Sequence, residues 1–210
     1  NVAPQLAGSD FTIEFWAKCN DPNGLNTIYS QGTNSAENML AIVIFKNSIL
    51  FDIYNYGVKA NIPDTSILNH YAVTFNISEN SLINSTKFYI NGALQTTFDH
   101  SSGSSDKYTL ATGNIRIGND ITGAYSNSMN SLSPSFNGKL KHLRVWNYVR
   151  TQSEIQNSLF GILSTILNTV DIDLLLQIAP GDNNSNLFRD ISYYNNTITQ
   201  SGTHITHTQS

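Results

Sequence analysis

The chain has 210 residues and a formal net charge of −4, and only 12% of its residues are charged, about half the ~25% usual in globular proteins. One β-sandwich domain fits this length comfortably, whereas a second full domain would be cramped. No run of Lys or Arg marks a nucleic-acid or anionic-membrane footprint, and no apolar stretch reaches the ~20 residues needed to span a bilayer.

In Phe11 to Cys19 the odd positions form an apolar face and the even ones are mostly polar, so the segment is read as a strand with Phe15 on the buried side. Met39 to Phe45, the turn Lys46-Asn47-Ser48 and Ile49 to Tyr54 predict a hairpin whose first strand is covered on both faces. His70 to Asn76 alternates again. Lys87 to Ile90 meets Ala93 to Thr96 across Asn91-Gly92, a pair that accepts the two positive φ angles of a type I′ turn. Asn114 to Gly118 and Leu140 to Trp146 supply two more strands, separated by an Asn/Ser-rich loop from Asn119 to Ser135 long enough to carry function. Thr151-Gln152-Ser153-Glu154 is a capping box, and Ile155, Leu159, Leu163 and Ile166 follow at helical spacing. Leu174 to Ile178 reads as a final strand. The expected organisation is one sandwich over residues 1–200 and a polar tail over 201–210.

Cys19 has no partner in the sequence and falls inside a strand, so a buried, inert thiol is expected. A start at Asn1, with neither methionine nor signal peptide, points to a fragment of a larger multidomain protein. The sequons at Asn76, Asn84, Asn183 and Asn195 permit a secreted origin and arise readily by chance in so Asn-rich a chain.

Glycoside hydrolysis needs two carboxylates about 5–10 Å apart. The four glutamates, 14, 37, 79 and 154, are scattered, and Asp171 and Asp173 lie in a turn. His70, His100, His142, His204 and His207 lack metal-site spacing, and neither a G-x-S-x-G elbow nor a phosphate-binding glycine loop occurs. A non-enzymatic role is expected.

Several blocks, in order, carry a family resemblance: Phe11-Thr12-Ile13-Glu14-Phe15-Trp16, His70-Tyr71-Ala72-Val73-Thr74-Phe75, Phe88-Tyr89-Ile90-Asn91-Gly92, Ile115-Arg116-Ile117-Gly118, and Phe136-Asn137-Gly138 running through Arg144-Val145-Trp146-Asn147 to Arg150-Thr151 and Glu154-Ile155. Leu174 to Gly181 and Asp190-Ile191-Ser192 extend it, although Leu176 and Gln177 stand where an aromatic is usual. Together they resemble the laminin-G-like domain of the concanavalin-A-like lectin and glucanase superfamily. The resemblance implies an all-β, two-sheet antiparallel jelly-roll sandwich with one short helix after the Trp146 strand, and ligand or calcium at the loop rim or on the concave sheet.

Family resemblance also implies an acid before the strand at Met39, where Glu37-Asn38 stands. With Asp120 these would ligate Ca²⁺ through hard oxygen donors, with Asn119 approaching them. Tyr56, Asn119, Asp120, Tyr125 and Asn127 are the candidate ligand-binding residues, because an aromatic ring stacks on a pyranose while amides and carboxylates bond its hydroxyls. Trp16, on the polar face of its strand, is a further aromatic that either meets a sugar or packs beneath a loop or the helix. The function expected is a non-catalytic binding module of an extracellular or cell-surface protein, recognising glycan or an extracellular protein through rim loops. The alternative is a structural spacer or a receptor-binding domain of a bacterial toxin, since clostridial neurotoxins carry a lectin-like sandwich with a similar opening strand and hairpin.

Overall fold

Alternation in the first strand decides the architecture: Phe11, Ile13, Phe15 and Ala17 all enter one core, and the intervening Thr12, Glu14 and Trp16 face away from it. The computed structural model describes residues 6, 8–32, 39–53, 56–100, 113–119, 135–159, 174–180 and 188–190. Among these the strands are β1 (Phe11–Cys19), β2 (Asn26–Gly32), β3 (Met39–Phe45), β4 (Ser48–Ile53), β5 (Tyr56–Asn61), β6 (Asn69–Phe75), β7 (Thr86–Ile90), β8 (Ala93–Leu94), β9 (Phe98–Asp99), β10 (Asn114–Ile117), β11 (Gly138–Trp146), β12 (Leu174–Pro180) and β13 (Phe188–Asp190). Helices are α1 (Leu82–Ser85) and α2 (Gln152–Ser158).

The strands form two antiparallel sheets. One has seven strands in the order β13-β12-β11-β1-β6-β7-β8, the other six in the order β10-β2-β3-β4-β5-β9. Their inner faces share one core, in which Phe11 stacks on Phe75 at 5.1 Å between ring centres and meets Phe51 edge-on at 6.0 Å. The expected mostly-β sandwich is the observed fold.

Two hairpins turn as their sequences demand. Asn91 and Gly92 have φ of 50° and 76°, and Lys46 and Asn47 have φ of 46° and 57°, so both are two-residue turns of the twist that matches the strands. The first hairpin was therefore read one residue too long, because Ser48 already pairs with Phe45. Strands β2 and β5 were not anticipated. Asn26-Thr27-Ile28-Tyr29-Ser30-Gln31-Gly32 has little apolar alternation, and a bulge between Thr27 and Tyr29 breaks what there is.

The capping box at Thr151 is present with both of its bonds, Glu154 N–H donating to Thr151 Oγ1 and Thr151 N–H donating to the Glu154 carboxylate. Helix α2 then lies on the outer face of the seven-stranded sheet, burying Ile155 against Ala72 and Tyr89. The expected continuation through Leu163 and Ile166 lies outside the described residues. Gln152 and Gln156 both donate to the Gly92 carbonyl, fastening the helix to the β7–β8 turn. Among the described residues no helix is long and apolar enough to cross a membrane.

Candidate functional site

Strand register decides which predicted rim residues can meet. Asn114 pairs with Gly32, and Gly32 with Met39, so β3 and β10 begin at the same end of the six-stranded sheet. Tyr56 opens β5 at that end, opposite Ile53. Asn119 lies at the other end, beyond Gly118, whose N–H donates to the Ile28 carbonyl. Tyr56 is level with Ile115, so it and Asn119 are separated by about 13 Å along the strands and about 19 Å across them.

The expectation that β3 and β10 present facing ends to one rim patch is therefore corrected: the start of β3 and the end of β10 lie at opposite ends of the sheet, because both strands are antiparallel to β2 and so run the same way. Tyr56 is half-buried and packs against the core. Asn119 is exposed, its carbonyl accepting from Ser30 Oγ at 2.9 Å and its Oδ1 from Ser135 Oγ at 3.5 Å. Glu37, Asn38, Asp120, Tyr125 and Asn127 lie outside the described residues. Among the described residues no three His, Cys, Asp or Glu side chains gather as a metal site.

A different constellation forms on the outer face of the six-stranded sheet. In β4 and β5, Ile49, Phe51, Ile53, Val58 and Ala60 enter the core, so Leu50, Asp52, Gly57 and Lys59 face outward. Lys59 pairs with Phe98 of edge strand β9, and His100 N–H donates to the Gly57 carbonyl at 2.8 Å. Cross-strand partners share a face, so Asp52, Lys59, Phe98 and His100 stand together. Asp52, 5% exposed, is the floor, and Phe98, 42% exposed, is the most open apolar surface there. Gly57 is required at the centre, because a Cβ would overlap the Asp52 carboxylate and touch His100. Burial first, and then the Lys59 charge, hold the His100 pKa below the ordinary histidine value, which leaves a neutral imidazole able to donate at one nitrogen and accept at the other.

Across the same row lie Ala41 and Ser30, and beyond them exposed Arg116 on β10. The result is a row of small side chains with an acid at one end and a base at the other. Asp99 pairs with Val58 and so faces the other side of the sheet, leaving Asp52 the one carboxylate of this cluster among the described residues.

Glu14 has a separate role that its sequence context concealed. It is fully buried on the outer face of the seven-stranded sheet, bonded to Arg150, accepting from Ser158 Oγ at 2.9 Å, and within 3.4 Å of His70 Nε2 and 3.9 Å of Arg144. Burial alone would raise its pKa, but the His70 hydrogen bond and the Arg150 charge outweigh it and hold the group below the ordinary value. Arg150 also lies 4.4 Å over the Trp146 ring and donates to the Glu154 carbonyl. This cluster clasps the loop and helix to the sheet and is closed to solvent. Cys19 is buried and its thiol is pushed up to about 12, by burial and then by Asp21, so it is not a nucleophile.

A sequence profile of the laminin-G kind, described as the concanavalin A-like lectin/glucanases superfamily, matches residues 1–156. The chain belongs to that superfamily. No curated protein matches it by sequence. Among solved structures, a Bacteroides ovatus protein provisionally described as carbohydrate-binding aligns with TM-score 0.61 and 17% identity, over 91% of this chain and 52% of that one. A CBM40 of the Ruminococcus gnavus IT-sialidase, bound to α2,3-sialyllactose, aligns with TM-score 0.53 and 16% identity over 71% of this chain and 82% of that one. The NanB sialidase of Streptococcus pneumoniae aligns with TM-score 0.53 and 13% identity over 72% of this chain, which is 24% of that chain. These likenesses establish the lectin-like sandwich.

Within this superfamily member, sequence reading missed Asp52, Lys59, Phe98 and His100. Phe98 carried the usable signal: a large aromatic between Thr97 and Asp99, in a polar stretch directly after a hairpin, where burial is not expected.

Proposed function

We propose that this chain is a non-catalytic carbohydrate-binding module of a larger extracellular or cell-surface protein, and that it holds its glycan on the outer face of the six-stranded sheet beside β9. The observation that carries this reading is the exposed Phe98 ring, fixed by the Phe98–Lys59 pairing next to Asp52 and His100. A pyranose stacked on Phe98 would set its hydroxyls toward Lys59 and His100 as donors and Asp52 as acceptor. Hydrolysis would need a second carboxylate across the bond, and among the described residues the cluster carries one.

The carbohydrate-binding description of the Bacteroides ovatus protein and the sialyllactose bound to the CBM40 support the choice of ligand class. The cluster beside β9 gathers no metal-site set of side chains among the described residues, so glycan binding there is proposed to be independent of metal. Glycan-array screening of the pure chain, followed by calorimetry on each hit, tests the reading. Binding that is lost in Phe98→Ala supports it. Silent arrays, with a protein partner captured in their place, would favour the spacer reading instead.

A further inference from the structure

Lys18 is remote in sequence from Lys139 and Lys141, yet pairing brings all three to the outer face of the seven-stranded sheet, the face opposite the Asp52 cluster. Lys18 pairs with Lys139 and Trp16 with Lys141, while His70 flanks Trp16 from the other side. Directly opposed side chains stand about 5 Å apart and successive outward rows about 7 Å apart. Three of the chain's seven lysines therefore occupy two adjacent rows of a protein whose net charge is −4. The sequence alone showed no such cluster.

Lys139 and Lys141 are exposed, Lys18 and Trp16 half-buried. Trp16 meets the His70 ring edge-on at 5.4 Å, which fixes the indole beside the amines. A bulge at His142, φ 51°, adds a further exposed imidazole at the margin. Among the described residues two acids lie nearby: Glu14 is committed to Arg150, Arg144 and His70, and exposed Asp64, bonded to Ser66, offsets Lys18 alone and leaves Lys139 and Lys141 uncompensated.

We infer that Trp16, Lys18, Lys139 and Lys141 form a second binding surface, for a polyanionic saccharide that bears carboxylate or sulfate groups. Repeated amines a few ångströms apart match a chain with repeated negative groups, and an indole among them offers stacking to a sugar ring. Helix α2 rises from the same face over Ala72 and Tyr89, and a helix is about 10 Å across. The helix thus stands proud of the sheet that carries the exposed lysines, and a narrow chain can follow that sheet where a flat surface would meet the helix first.

This surface stands apart from the Asp52 cluster, so either proposal can fail alone. Titrate the pure chain with dextran sulfate, polygalacturonate and neutral dextran, reading binding by tryptophan emission; Trp146 is 1% exposed, so a change reports Trp16. The expected result is quenching by both acidic polymers but not by dextran, weakening as salt rises. In Lys139→Glu/Lys141→Glu the affinity should fall roughly tenfold or more, with an unchanged unfolding midpoint, since both residues are exposed. Lys18→Gln should weaken it less. Unchanged binding in the double variant overturns the inference, as does binding of phosphatidylserine vesicles or poly-glutamate in preference to the acidic polysaccharides.

Discussion

Glu14 and Arg150 form an ion pair 136 positions apart in the chain, the glutamate fully buried and the arginine 6% exposed. Through it the first strand holds the segment that leads into α2, and Thr12 adds a second tie by accepting from Arg150 N–H and donating to the Tyr148 carbonyl.

Removing one partner of such a pair strands the other charge in the interior. Arg150→Ala is expected to cost about 3–5 kcal/mol of unfolding free energy, read from urea midpoints. Because the folded pKa of Glu14 lies below its unfolded value, its contribution is present above the ordinary glutamate range and is lost as pH falls through the folded pKa. Stability of the native chain should therefore decline in acid, and Glu14→Gln should flatten that part of the profile. An equal acid slope in both proteins would contradict the assignment.

At the β7–β8 turn, a Cβ on Gly92 would stand 2.8 Å from Gln156 Cγ and 3.1 Å from Leu159 Cδ1, in a backbone of positive φ. Gly92→Ala should cost about 1–2 kcal/mol from backbone conformation alone, and more from lifting α2. A thermal melt of Gly92→Ala, alone and combined with Gln156→Ala, separates the two: non-additive losses indicate that the turn and helix act as one unit.

Phe15 is fully buried and stacks on Tyr71 at 5.4 Å. Phe15→Ala should lower unfolding free energy by about 3–5 kcal/mol, measured in urea. An unchanged midpoint would mean that the faces of β1 are reversed.

Local chemistry was legible in the sequence. The Asn91-Gly92 turn, the Thr151 capping box and the two faces of β1 each depend on residues a few positions apart, and each stands as read. What depends on register was not. Nothing in a linear reading places Lys18 opposite Lys139, sets Phe98 beside Lys59 and Asp52, or sends Glu14 to Arg150. The separation of Tyr56 from Asn119 was hidden for the same reason: both neighbour turns, but β5 and β10 run the same way, so the start of one and the end of the other lie at opposite ends of the sheet.

Calcium offers a clean separation. Among the described residues the Asp52 cluster has a single carboxylate, whereas a Ca²⁺ ion takes six to eight oxygen ligands and usually several carboxylates. Glycan affinity should be equal in calcium and in chelator. An ion bound elsewhere would raise the unfolding free energy by about 2.7 kcal/mol when free calcium is a hundredfold above its dissociation constant, and the midpoint with it, without changing that affinity. Loss of glycan binding in chelator would return the site to the loops.

The most direct test is calorimetric titration of the best array ligand into the native chain, Phe98→Ala and Asp52→Asn, with thermal melts confirming that each variant is folded. Loss of the stacking surface and of the charged acceptor should each weaken binding, by about 1–3 kcal/mol for a hydrogen bond to a charged group and a comparable amount for the ring. Equal affinity in all three folded proteins would contradict a glycan site on the outer face of the six-stranded sheet.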